Sequence, residues 1–491
     1  MEQKVDALIK ILYGVKSEKI DPAQLQLLLE GFEPKKPQAS SDDDNPAPEE
    51  ASAAKPKNKK AKAENHSRLK GWDTLEVTEE TILPENYEQH KDQLELIGQE
   101  VTELLDYLPA RLIKRRTIRP KFRRKDDRLQ PPLIAPAPAS PLPGGVPTFS
   151  LTAQLIVSKY GDHLPLYRQQ NIFQRLGLHA PRDTLNHWTL RSLELLRPIA
   201  EAIHQECLAK SYLQVDETPI KELAPGTGKT RTGYAWVFND PCPHGNVSYR
   251  WQKGRSRKDF EQALGEDPKD WGGIFQCDGY SVYPSYQRDH ASIIDLGSCM
   301  AHIRRGFTKA LDARERNAAR VIHLISYLYQ VEDWVRQSNQ NRTAGPALRE
   351  AIRASHCAPR LKLIEKYLRK IQPRHLLQSL MGKAISYALG QWSGLAIYLR
   401  DGRVELDNNL CENTIRPLKI GAKNYLFMGS RRGGELACVA YTLIENCKRH
   451  GLPLHNYLVA AMQALVAHGP DKARELTPTA VARAKRMRKS A

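Results

Sequence analysis

Five short segments rich in β-branched and aromatic residues lie between residues 212 and 297, and they limit the fold more than any other feature of the chain. They are YLQVD (212–216), YAWVF (234–238), VSYRW (247–251), IFQCD (274–278) and SIIDLG (292–297). Such runs, bounded by turn-forming residues, predict strands. The first three have hairpin-like spacing, and helical segments are predicted around 256–265, 280–288 and from about 300 onward.

The predicted elements follow the order β-β-β-α-β-α-β-α, which is expected of a ribonuclease-H-like mixed sheet. We therefore expect an α/β fold in which residues 211–435 form one domain around a mixed five-stranded sheet. The helical stretch at about 300–400 would be a large insertion before the last core helix. Residues 436–491 are predicted to be a helical C-terminal region that ends in the basic tail ARAKRMRKS.

Segments of different character precede this domain. Residues 1–33 are predicted to be a leucine-rich helical segment for packing or self-association. Residues 34–70 contain Pro, Ala, Ser and charge with almost no large apolar residue, which is typical of a disordered linker. Residues 71–130 form a small basic module, and residues 131–149 form a Pro-rich spacer that we expect to be extended.

Residues 150–210 are predicted to be helical, and two interpretations of them stay open. The stretch LPLYRQQNIFQRLGLHAPRDTLNHWTLRSLELL (164–196) has a helix, a break containing glycine and a second helix. A DNA-reading helix-turn-helix has this pattern. Amphipathic helices that pack on a core give the same pattern.

The charge balance points to a polyanionic partner. Lys and Arg number 74 against 56 Asp and Glu, which gives a formal charge of +18. Neutralising phosphates releases counterions, so nucleic acid is the first candidate, and a merely basic soluble protein or one that meets anionic membranes is the alternative. No secretory signal or membrane-spanning stretch is recognised, and none of the eight cysteines forms a CxxC pair. We expect a cytoplasmic protein without a disulfide framework.

Two predicted strands end on an aspartate, Asp216 in LQVDETP and Asp278 in IFQCDGY. An acid at the end of a buried strand is costly unless it is paired or binds a cation. In the predicted order these strands are neighbours, so the two carboxylates would lie side by side. Mg²⁺ prefers such oxygen ligands, and two ions would support in-line phosphoryl transfer on a nucleic acid. For either aspartate alone, a turn or helix cap is the alternative.

The stretch VELDNNLCENTIRP (404–417) supplies the candidates for a third acid. We predict a helix over 408–416 that Asp407 caps and Pro417 ends. Asn408, Glu412 and Arg416 then share one face. Glu412 is therefore the predicted metal ligand, and Asp407 and Glu405 are predicted to be a cap and a bystander.

Basic residues near these acids could hold a phosphate backbone. The predicted loop GAKNYLFMGSRRGGE and the residues just before it contribute Arg416, Lys419, Lys423, Asn424, Arg431 and Arg432, with Tyr425 and Phe427 as base or sugar contacts. The segment CMAHIRRGF (299–307) adds Arg304 and Arg305. The alternatives are a solvated basic loop and ordinary helix-surface charges. PGTGKT (225–230) lacks the first glycine of a phosphate-binding loop and is predicted to be a hairpin turn.

Several motifs, in order, resemble the transposases of the insertion sequence 66 (IS 66) family over roughly residues 1–35 and 90–460. They are SKYGDHLPLYRQ (158–169), VDETPI (215–220), PGTGKTRTGYAWVF (225–238), CDGY (277–280), CMAHIRRGF, DGRVELDNNLCENTIRPLKIGAKNYLFMGS (401–430) and GGELA (433–437). The resemblance implies a ribonuclease-H-like transposase of the DDE type with two Mg²⁺ or Mn²⁺ ions. It places the catalytic acids on Asp216, Asp278 and Glu412. It also implies that Cys299 and His302 support the active site.

The sequence departs from the family in the module at 71–130. Members carry two cysteine pairs there, whereas Tyr87, His90, Arg124 and Asp127 stand near those places in this chain. We therefore predict no zinc in this module.

We expect a transposase that acts on double-stranded DNA, namely the terminal inverted repeats of a bacterial mobile element and its target. A homo-oligomer is expected, and the resemblance implies small accessory proteins of the same element. The alternatives are a DNA-binding relative without catalytic activity and a hydrolytic nuclease of the same fold.

Overall fold

A mixed sheet of five strands organises the part of the chain that the structure describes. The structure is a computed structural model, and it describes residues 112–118, 120–122, 133–134, 138–142, 146–224, 226–265, 271–337 and 345–490. Lys121–Phe122 and Leu133–Ile134 form a short antiparallel ladder. The predictions for residues 1–33 and 34–70, and most of those for 71–130 and 131–149, lie outside the described residues.

The strands of the sheet are β1 (Tyr212–Leu223), β2 (Thr230–Asn239), β3 (Val247–Gln252), β4 (Gly273–Cys277) and β5 (Ile294–Ser298). Their spatial order is β3-β2-β1-β4-β5. The pairs β1–β2 and β2–β3 are antiparallel, whereas β1–β4 and β4–β5 are parallel. The predicted α/β class and the mixed five-stranded sheet are therefore confirmed.

Strand β1 is longer than the sequence predicts, because it continues past Asp216 to Leu223. Its pairing with β2 extends over this outer half, and Leu223 lies opposite Thr230. The hairpin turn that joins them contains Gly226 and Gly228, whose φ angles of 73° and 64° favour glycine. Residues 226–229 of the PGTGKT segment lie in this hairpin turn, as predicted.

In the described part of the chain, three α-helices precede the sheet, namely α1 (Phe149–Ile156), α2 (Leu166–Arg175) and α3 (Arg182–Leu208). The predicted break between α2 and α3 contains Gly177, which has a φ of 84°. Helix α3 buries Leu193, Leu196 and Ile203 completely in the core that covers the sheet. This burial accounts for the apolar pattern of α3, and DNA reading by these helices stays a prediction.

Two short helices connect the parallel strands, α4 (Arg257–Leu264) before β4 and α5 (Val282–Asp289) before β5. Ser256 and Asp259 form a capping box at the start of α4. Phe260 of α4 and Tyr283 of α5 pack edge to face with their ring centroids 5.4 Å apart. These helices thus cover one face of the sheet with aromatic side chains.

Six α-helices of the described residues lie between β5 and the VELDNN segment, and they share a core of their own. They are α6 (Met300–Asp312), α7 (Arg316–Gln337), α8 (Pro346–Ile352), α9 (Ala358–Ile371), α10 (Leu380–Gly390) and α11 (Trp392–Arg400). A turn of π-helix, Arg353–Cys357, joins α8 to α9. This core meets the sheet at Tyr212 and Ile274, and it includes Leu406 just before the next helix.

The chain ends in four more helices, namely α12 (Asn409–Tyr425), α13 (Arg431–Arg449), α14 (Leu454–His468) and α15 (Pro478–Ser490). Helix α13 packs against β3 and α3. Among the helices of the described residues, none has the length and apolar character needed to cross a membrane.

The prediction that the helix after Asp407 ends at Pro417 is wrong, because α12 continues to Tyr425. Proline removes one backbone donor and leaves the carbonyl four residues earlier, that of Asn413, without its helical partner. Asn413 is exposed, so water can satisfy this carbonyl. The second half of α12 is held by packing, since Leu418 is fully buried and Gly421 lies against the Tyr441 hydroxyl.

A buried ion pair ties the six-helix core together. The Glu332 carboxylate of α7 accepts hydrogen bonds from Arg353 Nε at 2.7 Å and from the Tyr398 hydroxyl at 2.6 Å. Burial alone would raise the pKa of Glu332, but the hydrogen bond and charge of Arg353 outweigh it and lower this pKa to about 2. The pair therefore stabilises the fold above pH ~4.5, and this stability is lost as the pH falls towards 2.

We expect Arg353→Ala to lower the free energy of unfolding by about 3–5 kcal/mol, because it leaves Glu332 charged and buried. Chemical denaturation followed by circular dichroism measures this loss. Arg369→Ala is the matched control, since Arg369 forms an exposed pair with Glu365 and should change stability by about 0.5 kcal/mol. Equal losses in the two variants would contradict the role of the buried pair.

Candidate active site

The register of the sheet places Asp216 and Asp278 at the same level. Strand β4 pairs with β1 from Tyr212↔Ile274 to Gln214↔Gln276. Asp216 and Asp278 each follow that last pair by two residues, so each is expected on the face of its strand that carries the preceding glutamine. Neighbouring strands lie about 4.8 Å apart. The two predicted catalytic aspartates are thus brought together.

The pKa of Asp216 reflects this crowding of negative charge. Burial, the largest cause, and the charges of Glu217 and Asp278 raise the pKa of Asp216 to about 8. The hydrogen bond that Asp216 accepts from the Glu217 N–H opposes this rise, and the charge of Glu412 adds to it. The site therefore favours neutralisation of Asp216, either by a proton or by a cation.

Glu412 lies in the first turn of α12, within electrostatic reach of Asp216. In this structure its carboxylate contacts other groups, namely Arg305 at 3.3 Å and His302 Nε2 at 3.6 Å. Burial, and then the charge of Arg305, hold the pKa of His302 below its usual range. Within the described residues, no group of three or more His, Cys, Asp or Glu side chains lies close enough to hold one metal ion.

The start of α12 is fixed by polar contacts with its surroundings. Asn408 is the N-cap residue, so the helix begins one residue later than predicted. The Asn408 N–H donates to Cys299 Sγ at 3.2 Å, and its Nδ2 donates to the Val215 carbonyl at 3.2 Å. Asp407 accepts the Asn409 N–H at 3.0 Å and the Tyr329 hydroxyl at 2.8 Å. Cys299 thus contacts the N-cap residue of α12, and His302 contacts Glu412 in its first turn.

Glu405 is not the bystander that the sequence predicts. Its carboxylate contacts Arg349 at 3.0 Å and Arg336 at 3.5 Å. Arg349 also contacts Glu332 of the buried pair at 3.0 Å. Glu405 therefore connects the segment before α12 to the six-helix core.

Glu217 is a fourth acid at the site, and the sequence reasoning missed it. Burial raises its pKa to about 7, helped by Asp278 and opposed by the Tyr283 hydroxyl and Arg255. The Tyr283 hydroxyl donates to Glu217 at 2.9 Å. Two successive acids in a largely apolar strand were the available signal, but the alternation of side chains argued against a shared site.

The predicted DNA-contacting residues lie on three helices. Arg304 and Arg305 are on α6, four more are on α12 and two are at the start of α13. The four on α12 are Arg416, Lys419, Lys423 and Asn424, and the two on α13 are Arg431 and Arg432. Most of the predicted basic loop is therefore helical, because α12 passes through Pro417.

These basic residues differ in their surroundings. Arg416 and Lys423 are exposed on α12. Lys419 Nζ donates to the Pro219 carbonyl at 2.9 Å. Arg431 pairs with Glu435 at 3.0 Å and Arg432 with Glu194 at 3.2 Å. Helices α12 and α13 thus offer cations, some of which already have carboxylate partners.

The turn between α12 and α13 presents apolar side chains next to these cations. Leu426 has a φ of 66° and is 70% exposed, and Phe427 is 39% exposed. Met428 anchors the turn on β1 through its N–H to the Lys221 carbonyl and its carbonyl to the Leu223 N–H, both at 2.8 Å. Of the two aromatic residues predicted to contact DNA, Phe427 faces solvent, whereas the hydroxyl of Tyr425 lies 3.3 Å from that of Tyr441.

Comparison with known proteins gives a consistent result. Residues 144–436, which include the sheet and Asp216, Asp278 and Glu412, match the family described as "Transposase IS66 family". Similar proteins include two from Sinorhizobium fredii, both described as uncharacterized. Protein y4jD is 31% identical over 389 residues, which cover 76% of this chain and 73% of the relative. Protein y4qI is 33% identical over 389 residues, with 76% and 70% covered. The chain belongs to the IS66 transposase family.

Proposed function

We propose that this protein is the DNA transposase of an insertion sequence, and that it cleaves the element ends and joins their 3′-hydroxyls to target DNA. The observation that carries the proposal is the placement of Asp216 and Asp278 at one level of two paired strands, with Glu412 in the first turn of the neighbouring helix. Membership of a transposase family supports the same class of reaction.

The fold that we propose is ribonuclease-H-like, with residues 211–435 as the catalytic domain. Three antiparallel strands followed by two parallel ones, in the order β3-β2-β1-β4-β5, support this assignment. The six helices α6 to α11 would be the insertion at about 300–400. Their separate core, which meets the sheet at Tyr212 and Ile274, supports this interpretation.

The donor chemistry of the site fits a divalent cation. Carboxylate oxygens are the ligands that Mg²⁺ and Mn²⁺ prefer. Burial and the charges of Glu217 and Asp278 raise the pKa of Asp216, so a cation that offsets negative charge would be favoured at this place. Asn408 Oδ1 and His302 Nδ1 are buried beside the acids without a hydrogen-bond partner, as expected of groups that meet water or an ion.

In the proposed mechanism Asp216, Asp278 and Glu412 would hold two Mg²⁺ or Mn²⁺ ions. When bound, such ions supply activation of a water or a 3′-hydroxyl and stabilise the leaving oxygen of an in-line displacement. The chain itself orients the carboxylates, since Asp216 accepts the Glu217 N–H at 2.8 Å and Asp278 accepts the Tyr280 N–H at 2.9 Å. No covalent protein–DNA intermediate is needed.

Double-stranded DNA is the proposed substrate, both as terminal inverted repeats and as target. Arg304, Arg305, Arg416, Lys419, Lys423, Asn424, Arg431 and Arg432 are the proposed backbone contacts. The contact of Arg305 with Glu412 at 3.3 Å supports this role, because cations offset the charge of phosphates drawn to an acidic site. We also propose a cytoplasmic homo-oligomer that works with small accessory proteins of the same element.

We predict that Asp216→Asn, Asp278→Asn and Glu412→Gln each lower the rate of DNA-end cleavage roughly a thousandfold, since each removes a ligand worth several kcal/mol in the transition state. A labelled fragment carrying the element end, with Mg²⁺ present, measures cleavage. Asp295→Asn is the control, because Asp295 is an exposed acid of β5 outside the site. It should cleave at the wild-type rate.

Wild-type cleavage in all three variants would contradict the assignment of these acids. Cleavage without joining to a second duplex would indicate a hydrolytic nuclease of the same fold. Binding to the DNA end without any metal-dependent cleavage would indicate a relative that has lost catalysis.

The raised pKa of Asp216 predicts a dependence of stability on pH in metal-free protein. The folded state binds this proton more tightly than the unfolded chain, so stability falls as the pH rises from about 4 to about 8. Asp216→Asn removes this titration, so the variant should melt at a higher temperature than wild type near pH 9, and the difference should shrink near pH 5.

Thermal unfolding in the presence of a chelator measures this difference, and Asp295→Asn again serves as the control. Added Mg²⁺ should stabilise wild type near pH 9 more than it stabilises Asp216→Asn. Parallel melting profiles for wild type and Asp216→Asn across this pH range would show that Asp216 does not carry the excess charge.

A further inference from the structure

Two buried glutamines occupy equivalent places in the strands that carry the two aspartates. Gln214 precedes Asp216 by two residues on β1, and Gln276 precedes Asp278 by two residues on β4. They lie opposite each other as the last pair of the parallel ladder, and both are fully buried. An amide inside a sheet is costly unless its hydrogen bonds are made, so their partners indicate their role.

Gln276 uses its whole hydrogen-bonding capacity. Its Oε1 accepts from the Tyr212 hydroxyl at 2.6 Å and from Gln214 Nε2 at 2.9 Å. Its Nε2 donates to the Ser298 carbonyl at 3.2 Å and to the Glu405 carbonyl at 2.6 Å. One of the four bonds thus reaches the segment that leads into α12.

Gln214 is satisfied in the same way. Besides its bond to Gln276, its Nε2 donates to the Asp407 carbonyl at 3.0 Å. Its Oε1 accepts from Asn239 Nδ2 at 3.1 Å and from the Cys411 N–H, within the first turn of α12, at 3.2 Å. Gln214 therefore forms hydrogen bonds with the backbone on both sides of Asn408, the N-cap residue of α12.

Tyr212 completes the connection between the sheet and this segment. Its hydroxyl donates to Gln276 and accepts the Glu405 N–H at 3.0 Å. The backbone of Glu405 is thus held at both its N–H and its carbonyl, and the next turn is held at Asp407 and Cys411. All of these bonds originate from side chains of β1 and β4.

We propose that Gln214 and Gln276, together with Tyr212, are positioning residues that align Glu412 with Asp216 and Asp278. The inference rests on the proposed function. The same two strands carry the first two acids and, through this amide pair, set the place of the helix that carries the third. Neither glutamine touches the reacting atoms.

A network in which every hydrogen bond is made suits this task, because few positions of the segment before α12 keep all of these bonds. Replacing one amide by an apolar group leaves buried carbonyls and N–H groups unpaired, so the segment must shift to find new partners. A displacement of about 1 Å at a catalytic group can cost about a hundredfold in rate. Loss of an amide should therefore affect metal binding and catalysis more than the general stability of the fold.

The test uses Gln214→Met and Gln276→Met, with Asn446→Leu as the matched control. Asn446 is an equally buried amide whose Nδ2 donates to the Val247 carbonyl and whose Oδ1 accepts the Val247 N–H, which ties α13 to β3. Titration with Mn²⁺ in the absence of DNA, followed by electron paramagnetic resonance, measures metal binding. We expect at least tenfold weaker binding in both glutamine variants and wild-type binding in Asn446→Leu at a comparable loss of melting temperature.

In the cleavage assay the glutamine variants should need at least tenfold more Mg²⁺ for half-maximal rate, with unchanged affinity for the DNA end. Wild-type Mn²⁺ binding and Mg²⁺ dependence in both variants would overturn the proposal. If wild type binds Mn²⁺ but cleaves no DNA, the proposed function fails, whereas the positioning role still stands or falls on the Mn²⁺ titration.

If the glutamine variants do not fold, Tyr212→Phe tests the same network, because it removes only one hydroxyl. Its control is Tyr457→Phe, since the Tyr457 hydroxyl also donates a hydrogen bond, to the Leu476 carbonyl at 2.7 Å, but belongs to α14. Weaker Mn²⁺ binding in Tyr212→Phe but not in Tyr457→Phe supports the positioning role. Identical binding in these two variants would contradict it.

Discussion

The parallel pairing of β1 with β4 is the constraint on which the rest of the candidate site depends. The ladder covers only three residue pairs and ends at Gln214↔Gln276. A shift of one residue would move Asp278 to the other face of the sheet, because side chains alternate along a strand. The register thus determines whether the two aspartates meet, and the buried amide pair at its end makes that register costly to change.

The site is electrostatically unfavourable by itself, and the surrounding structure makes it possible. Asp216 and Glu217 both have raised pKa values, since burial and the charge of Asp278 disfavour their ionised forms. The stabilising contributions lie elsewhere, in the aromatic packing over the sheet and in the six-helix core with its Glu332–Arg353 pair. A functional site commonly carries such a local cost, and a divalent cation would remove much of it.

The sequence was informative where a pattern is local. The five strands were predicted because short β-type runs alternate with turn residues, and the matched aspartates followed from the order of those strands. The extension of β1 beyond Asp216 was not predicted, since it depends on pairing with β2 across a glycine turn. The passage of α12 through Pro417 was also missed, because packing of Leu418 and Gly421 outweighs a local helix-breaking signal.

The two glutamines that we propose as positioning residues belong to a repeated sequence pattern whose meaning could not be inferred from the sequence alone. Gln-x-Asp occurs in both strands, at Gln214 and Gln276, yet a polar residue in a strand is normally expected to face solvent. Only the sheet order makes these two residues neighbours, and only the fold brings Glu405 and Asp407 against them. The role of Glu405 was missed for the same reason, since Arg349 lies 56 residues earlier in the chain.

The central claim is that Asp216, Asp278 and Glu412 form one metal site. Anomalous diffraction from crystals of the protein grown with a DNA end and Mn²⁺ tests it most directly. We expect anomalous density between the carboxylates of Asp216 and Asp278, with Glu412 as a further ligand. The claim would be contradicted if Mn²⁺ at a saturating concentration bound elsewhere and Glu412 remained paired with Arg305.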